Sequence, residues 1–138
     1  MAGPPRTFAA LLRARRGYLA TIGAEAPHLI PVCFTWAGDV IYSAIDAKPK
    51  SSGTLQRMRD IESSPTVSFL VDRWDEDWSR LAWLQARGTA KTLDPGEETA
   101  KAKEALKEKY NQYSEVALDG PVIRIQVDRW IGWPDEGA

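Results

Sequence analysis

Residues 17–45 run Gly17-Tyr18-Leu19-Ala20-Thr21-Ile22-Gly23-Ala24-Glu25-Ala26-Pro27-His28-Leu29-Ile30-Pro31-Val32-Cys33-Phe34-Thr35-Trp36-Ala37-Gly38-Asp39-Val40-Ile41-Tyr42-Ser43-Ala44-Ile45. Three β-rich runs, 18–22, 28–36 and 40–45, are separated only by turn-forming residues. The first turn is 23–27. The second, Ala37-Gly38-Asp39, is a short hairpin loop with a glycine available for positive φ. Pro31 inside the second run predicts an edge, a bulge or a break in pairing. Strands joined this tightly must be antiparallel neighbours, because a parallel pair needs a crossover of a dozen residues or more.

The rest of the chain extends this pattern. Phe8, Leu11 and Leu12 stand at i, i+3 and i+4 among arginines, which predicts a short amphipathic helix ended by Gly17 at a C-cap position. A polar loop over 46–53 leads into a helix over 54–62, with Leu55, Met58 and Ile61 at helical spacing. Strands are predicted at 66–71 and 79–93, the second bulged at Gly88, with a charged turn over 72–77 between them. Asp94, Pro95 and Glu97 suit the N-cap, N1 and N3 positions of a helix running to Tyr110. Its narrow stripe of Ala102, Leu106 and Tyr110 predicts a surface helix. The run 122–130 alternates, with Ile123, Ile125 and Val127 on one face. Hairpin-linked strands without a βαβ series exclude a Rossmann sheet. Six such strands with peripheral helices fit a small closed or split antiparallel barrel, a mainly β fold in a single domain over 1–138.

Composition narrows the function. The chain has 138 residues, 43% apolar and 27% charged, which is ordinary for one globular domain. No apolar run reaches the ~18 residues of a spanning helix, so no membrane partner is expected. With 18 basic and 19 acidic side chains, nothing global draws the protein to nucleic acid or an anionic membrane. One cysteine and one histidine exclude an intramolecular disulfide and a two-histidine or thiolate metal site. The start of the chain lacks the apolar core of a signal peptide, so an intracellular, cytoplasmic protein is expected. Six tryptophans on so small a chain suggest a ring-lined pocket, an interface, or both.

The loop Asp46-Ala47-Lys48-Pro49-Lys50-Ser51-Ser52-Gly53-Thr54 carries the most chemistry. It joins a strand to a helix and sets two ammonium groups and several hydroxyls where unpaired N–H groups and the helix dipole favour an anion. Arg57 adds a charge one turn later. From spacing alone, a phosphate cradle and a solvated, capped helix start are equally good readings. No Walker-type run is present, which rejects a nucleotide-triphosphate loop. The cluster Asp72, Asp75, Glu76 and Asp77 lacks the calcium-loop spacing and is expected to be a solvated turn. His28 is a candidate proton donor but reads more simply as structural. Cys33 reads as a small buried residue rather than a nucleophile. No serine nucleophile elbow occurs, so no catalytic side chain is assigned.

The runs Gly17 to Phe34 and Ile41 to Lys50, with 54–61 and 65–71, resemble the pyridoxamine-phosphate-oxidase-like split-barrel superfamily. The stretch from Val71 to Leu81 and the ending Asp128-Arg129-Trp130-Ile131-Gly132-Trp133 resemble its actinobacterial branch that uses the deazaflavin coenzyme F420. The resemblance implies a six-stranded split barrel, a tight homodimer, and two cofactor sites in grooves at the subunit interface. It places Val32 and Cys33 against the tricyclic ring and Lys48, Pro49, Lys50, Ser51 and Ser52 around the ribityl and phosphate part. Arg57 falls beside the acidic tail. Trp78 and Trp133, with Trp83, become candidate walls, supplied in part by the other subunit. The oxidases proper carry R-x-x-x-x-K on the strand before the loop; residues 30–36 here hold no basic side chain, which argues against tight FMN binding.

The expected function is therefore F420-dependent hydride transfer to a flat conjugated small molecule. The alternatives are an FMN enzyme of the same fold and a non-catalytic F420- or haem-binding protein. Binding of single-stranded nucleic acid by the barrel is a minor reading.

Overall fold

The computed structural model describes residues 3–44 and 52–134. Its strands are β1 (Gly17–Ile22), β2 (Pro27–Val32), β3 (Thr35–Ala37), β4 (Val40–Ala44), β5 (Thr66–Arg73), β6 (Ala82–Thr92) and β7 (Val122–Trp133). The helices are α1 (Ser52–Ser63) and α2 (Glu97–Lys109), with short 3-10 turns at Ala9–Arg13, Trp78–Arg80 and Asn111–Ser114. All strands form one antiparallel sheet in the order β2-β1-β5-β6-β7-β4-β3.

That order explains the barrel. The two edge strands, β2 and β3, are consecutive in the chain and separated only by Cys33 and Phe34. Three residue steps span at most about 11 Å. A flat sheet of seven strands would hold its edges about 29 Å apart at ~4.8 Å per strand. The sheet must therefore curl until its edges meet at residues 33–34. The expected six strands become seven because the run over 28–36 divides there: its first half pairs with β1, its second with β4. Pro31 is not the break. It lies within β2 opposite Tyr18, on an edge strand that tolerates its missing N–H. At the break Phe34 turns inward, fully buried, and meets Phe69 edge to face at 4.8 Å between ring centroids.

The barrel core is built from Leu19, Ile41, Phe69, Val71, Leu84, Ile123 and Ile125, all under 2% exposed. Alternation along each strand puts these on one face. The expected bulge is present, between Arg87 and Gly88, but the extra residue lies in the partner strand: Arg87 pairs with Arg129 and Gly88 with Val127, leaving Asp128 unmatched. The hairpin loop 37–39 is also as expected, with Gly38 at φ 58°.

Several local expectations change. The first helix is a 3-10 turn that ends at Arg13, and Gly17 instead opens β1, where a Cβ would collide with the Phe69 ring. Helix α2 starts at Glu97 with Gly96 as N-cap, so the Asp94 carboxylate does not cap it; the Asp94 carbonyl accepts from the Thr99 hydroxyl at 2.6 Å. The stripe of Ala102, Leu106 and Tyr110 is buried as its spacing requires, against Leu93, Val122 and Leu118. The acidic turn satisfies itself: Asp77 caps the 3-10 turn through Ser79, Glu76 accepts from Trp74, and Arg80 pairs with Asp75 at 3.2 Å. No helix among the described residues is long and apolar enough to cross a membrane. Nor does any group of three or more candidate metal ligands occur among them.

Candidate active-site cleft

The break between β2 and β3 exposes peptide groups that neither strand can pair, and the C-terminal end of α2 supplies the missing partners. The Tyr110 hydroxyl accepts from the Phe34 amide at 3.1 Å and donates to the Arg15 carbonyl at 2.9 Å. Lys109 Nζ donates to the Phe34 carbonyl at 2.9 Å and lies 3.6 Å from the centre of the Phe34 ring. The Ser43 hydroxyl donates to the Cys33 carbonyl at 2.9 Å. Burial, and then the neighbouring Arg15 charge, push Lys109 down to about 8. Burial likewise raises Tyr110.

Next to this clamp lies a cleft of about 560 Å³, lined by Arg15, Arg16, Tyr18, Pro31, Val32 and Cys33, together with Ala14 and Asp72. A smaller recess of about 380 Å³, with Tyr110 and Tyr113 on its wall, shares Arg15 and Cys33 with it. Cys33 is exposed in the cleft, not buried as its place in a strand suggested, because the chain leaves the sheet at this residue. The Arg15 guanidinium stacks over the Tyr110 ring at 4.7 Å and Arg16 over Tyr18 at 5.8 Å.

Val32 and Cys33 are thus brought together in the cleft, as expected. Lys48, Pro49, Lys50 and Ser51 lie outside the described residues; Ser52 opens α1, and Arg57 is half-buried on it. Trp78 and Trp133 are exposed and do not line the cleft of their own chain. Trp83 faces Trp133 across β6 and β7. His28 is structural: its Nδ1 meets Asp60 at 2.8 Å, away from the cleft. Tyr42 lies outside the cleft, donating to Glu98 at 2.6 Å beside Arg124 in a separate pocket under α2. Bonds from Tyr42 and Arg124 hold the Glu98 carboxyl below its usual range.

Arg15, Arg16, Lys109 and Tyr110 are site residues beyond those expected from the sequence. The doubled arginine was a visible signal. The clamp was not, since Tyr110 meets Phe34 across 76 residues of chain.

The sequence pattern of pyridoxamine 5'-phosphate oxidase matches residues 4–134. The chain belongs to the pyridoxamine 5'-phosphate oxidase family. No curated protein matches its sequence significantly. Among solved structures, the conserved protein Rv2991 from Mycobacterium tuberculosis superposes with a TM-score of 0.75 at 23% identity, over 92% of this chain and 82% of that one. A FAD-binding protein from Mesorhizobium loti gives 0.67 at 17%, covering 88% and 85%. The haem storage protein HutZ from Vibrio cholerae gives 0.71 at 16%, covering 95% and 94%. At these identities the likeness is one of fold: this oxidase-family barrel also occurs in flavin- and haem-binding proteins.

The clamp makes a direct prediction. Tyr110→Phe removes the hydroxyl that serves the Phe34 amide and the Arg15 carbonyl, and the buried amide loses its partner. Unfolding in urea should show a loss of about 1–3 kcal/mol. An unchanged midpoint would mean that water replaces the hydroxyl and the clamp is dispensable.

Proposed function

We propose that this family member is an oxidoreductase that holds the deazaflavin coenzyme F420 and transfers a hydride between it and a flat conjugated small molecule. The observation that carries the reading is the cleft at the β2–β3 break. It is lined by Val32 and Cys33, on the strand that the resemblance sets against a tricyclic ring, with Tyr18 and Pro31 beside them. A planar ring system suits that lining. The coenzyme supplies the hydride chemistry. Val32 and Cys33 present backbone and a small surface to the ring, while Lys48, Pro49, Lys50, Ser51 and Ser52 receive the phosphate part and Arg57 the tail. The absence of a basic side chain at 30–36 favours F420 over FMN. The Mesorhizobium loti neighbour supports a flavin as the alternative, and HutZ supports haem binding as a second.

Titrating the protein with F420 and FMN side by side tests the reading: F420 should bind more tightly, and its reduced form should be oxidised by a conjugated acceptor. Tighter FMN binding overturns the cofactor assignment; F420 binding without turnover leaves a carrier. Lys50→Ala should weaken F420 binding about 10- to 150-fold, the loss of one charge-assisted contact of roughly 1.5–3 kcal/mol. Equal dissociation constants would sink the phosphate-cradle reading of 48–52.

We further propose that the working unit is a homodimer. Tyr18, Ala20 and Ile22 of β1 alternate onto the outer sheet face opposite Pro31, Leu29 and Pro27 of β2. Leu29 is 70% exposed and Ile22 51%, an apolar surface beside the cleft. Trp78 and Trp133 of a second copy are then available as cleft walls. Sedimentation at low micromolar concentration should give twice the chain mass; a folded monomer there defeats the proposal.

A further inference from the structure

We propose that Arg15 and Arg16 form a carboxylate-binding end of the cleft, so that the molecule accepting or giving up the hydride is a flat conjugated acid. This deepens the oxidoreductase reading and rests on it. Arg80 and Arg124 each meet a carboxylate within 4 Å. Neither Arg15 nor Arg16 does so among the described residues. Each instead lies over an aromatic ring, Tyr110 at 4.7 Å or Tyr18 at 5.8 Å, and both line the cleft. A guanidinium so placed suits a planar oxyanion.

The charge balance selects the size of that anion. Among the described lining residues Asp72 is the one carboxylate, set against two guanidinium groups. The excess of about one positive charge among these described residues fits a monoanion better than a dianion. Lys109 is not the receptor, since its ammonium already serves the carbonyls of Phe34 and Leu12. The walls provide the flatness: Tyr18 and Pro31 on one side, Tyr110 and Tyr113 beyond the shared Arg15–Cys33 boundary. The acid group would be anchored next to Cys33, where the ring of the coenzyme is placed.

Cinnamate and its neutral isostere cinnamamide serve as probes, titrated against the protein with and without F420. Cinnamate should bind, and the amide at least about tenfold more weakly. The Arg15→Gln/Arg16→Gln variant should lose that preference while its affinity for F420 stays within about twofold. Arg16→Gln alone, at an exposed side chain lying over the Tyr18 ring, keeps the test open if the double variant does not fold. Equal binding of acid and amide, no binding of either, or an unchanged preference in the variants overturns the proposal. So does a collapse of F420 affinity in the variants, which would assign the arginines to the coenzyme. Failure of F420 to bind the wild type counts against the cofactor reading and leaves the acid-over-amide comparison standing.

Discussion

Gly88→Ala should lower stability by at least about 3 kcal/mol, seen as a large fall in the urea midpoint or as failure to fold. Gly88 sits in β6, the central strand between β5 and β7, opposite the unmatched Asp128. A Cβ at this position would be driven into the carbonyl oxygen of Gln126, and the Val127 backbone lies just beyond. Both obstacles are main chain in a paired strand, so neither can rotate away. The neighbourhood is also tied to the β3–β4 hairpin: Val127 N donates to the Asp39 carbonyl at 2.7 Å, and the Trp130 indole to the Asp39 carboxylate at 2.9 Å. Moving β7 to admit the methyl would therefore strain the closure of the barrel. Gly96→Ala is the control. Its Cβ meets nothing, its backbone is extended, and the change should cost under about 1 kcal/mol. Equal effects of the two substitutions would contradict this account.

Asp60→Ala should cost about 3 kcal/mol. Asp60 lies on α1 with its side chain 3% exposed, and three donors converge on it: Gln56 at 2.7 Å, Thr21 at 3.0 Å and His28 at 2.8 Å. Together they pin the β1–β2 hairpin to α1. Removing the carboxylate leaves the buried Thr21 hydroxyl without its acceptor and frees His28. Burial alone would raise the Asp60 carboxyl, but the bonds from Gln56, Thr21 and His28 outweigh it, and the net direction is downward. A depressed carboxyl is more acidic folded than unfolded. Its contribution is therefore complete above the unfolded value of about 3.9, and is lost as pH falls through the folded value. Acid unfolding of the wild type should accordingly show a loss below pH ~4 that is shallower in Asp60→Ala. Parallel acid profiles would show that Asp60 does not carry this linkage.

The wild-type sequence already contained the local half of this protein. Period-2 alternation over 18–22, 66–71 and 122–130 marked the strands, because each has one face in the core and a one-residue slip would invert it. Gly38 and Gly88 marked a turn and a bulge, because only a glycine meets those backbone demands at low cost. The full family pattern over 4–134 was legible as a series of such segments. What the tertiary structure decided was every contact between residues far apart in the chain. The division of residues 28–36 into β2 and β3 follows from the curl that brings two sheet edges together, not from Pro31. Cys33 became an exposed cleft residue for the same reason. The clamp of Lys109 and Tyr110 on Phe34 joins the end of α2 to a break whose unpaired peptide groups exist only once the barrel has formed. His28 and Asp60 met because hairpin and helix pack, although 32 positions separate them. Local pattern is written in neighbouring residues by backbone sterics and solvent exposure. A site assembled where a barrel fails to close depends on long-range geometry, which no short window of sequence contains.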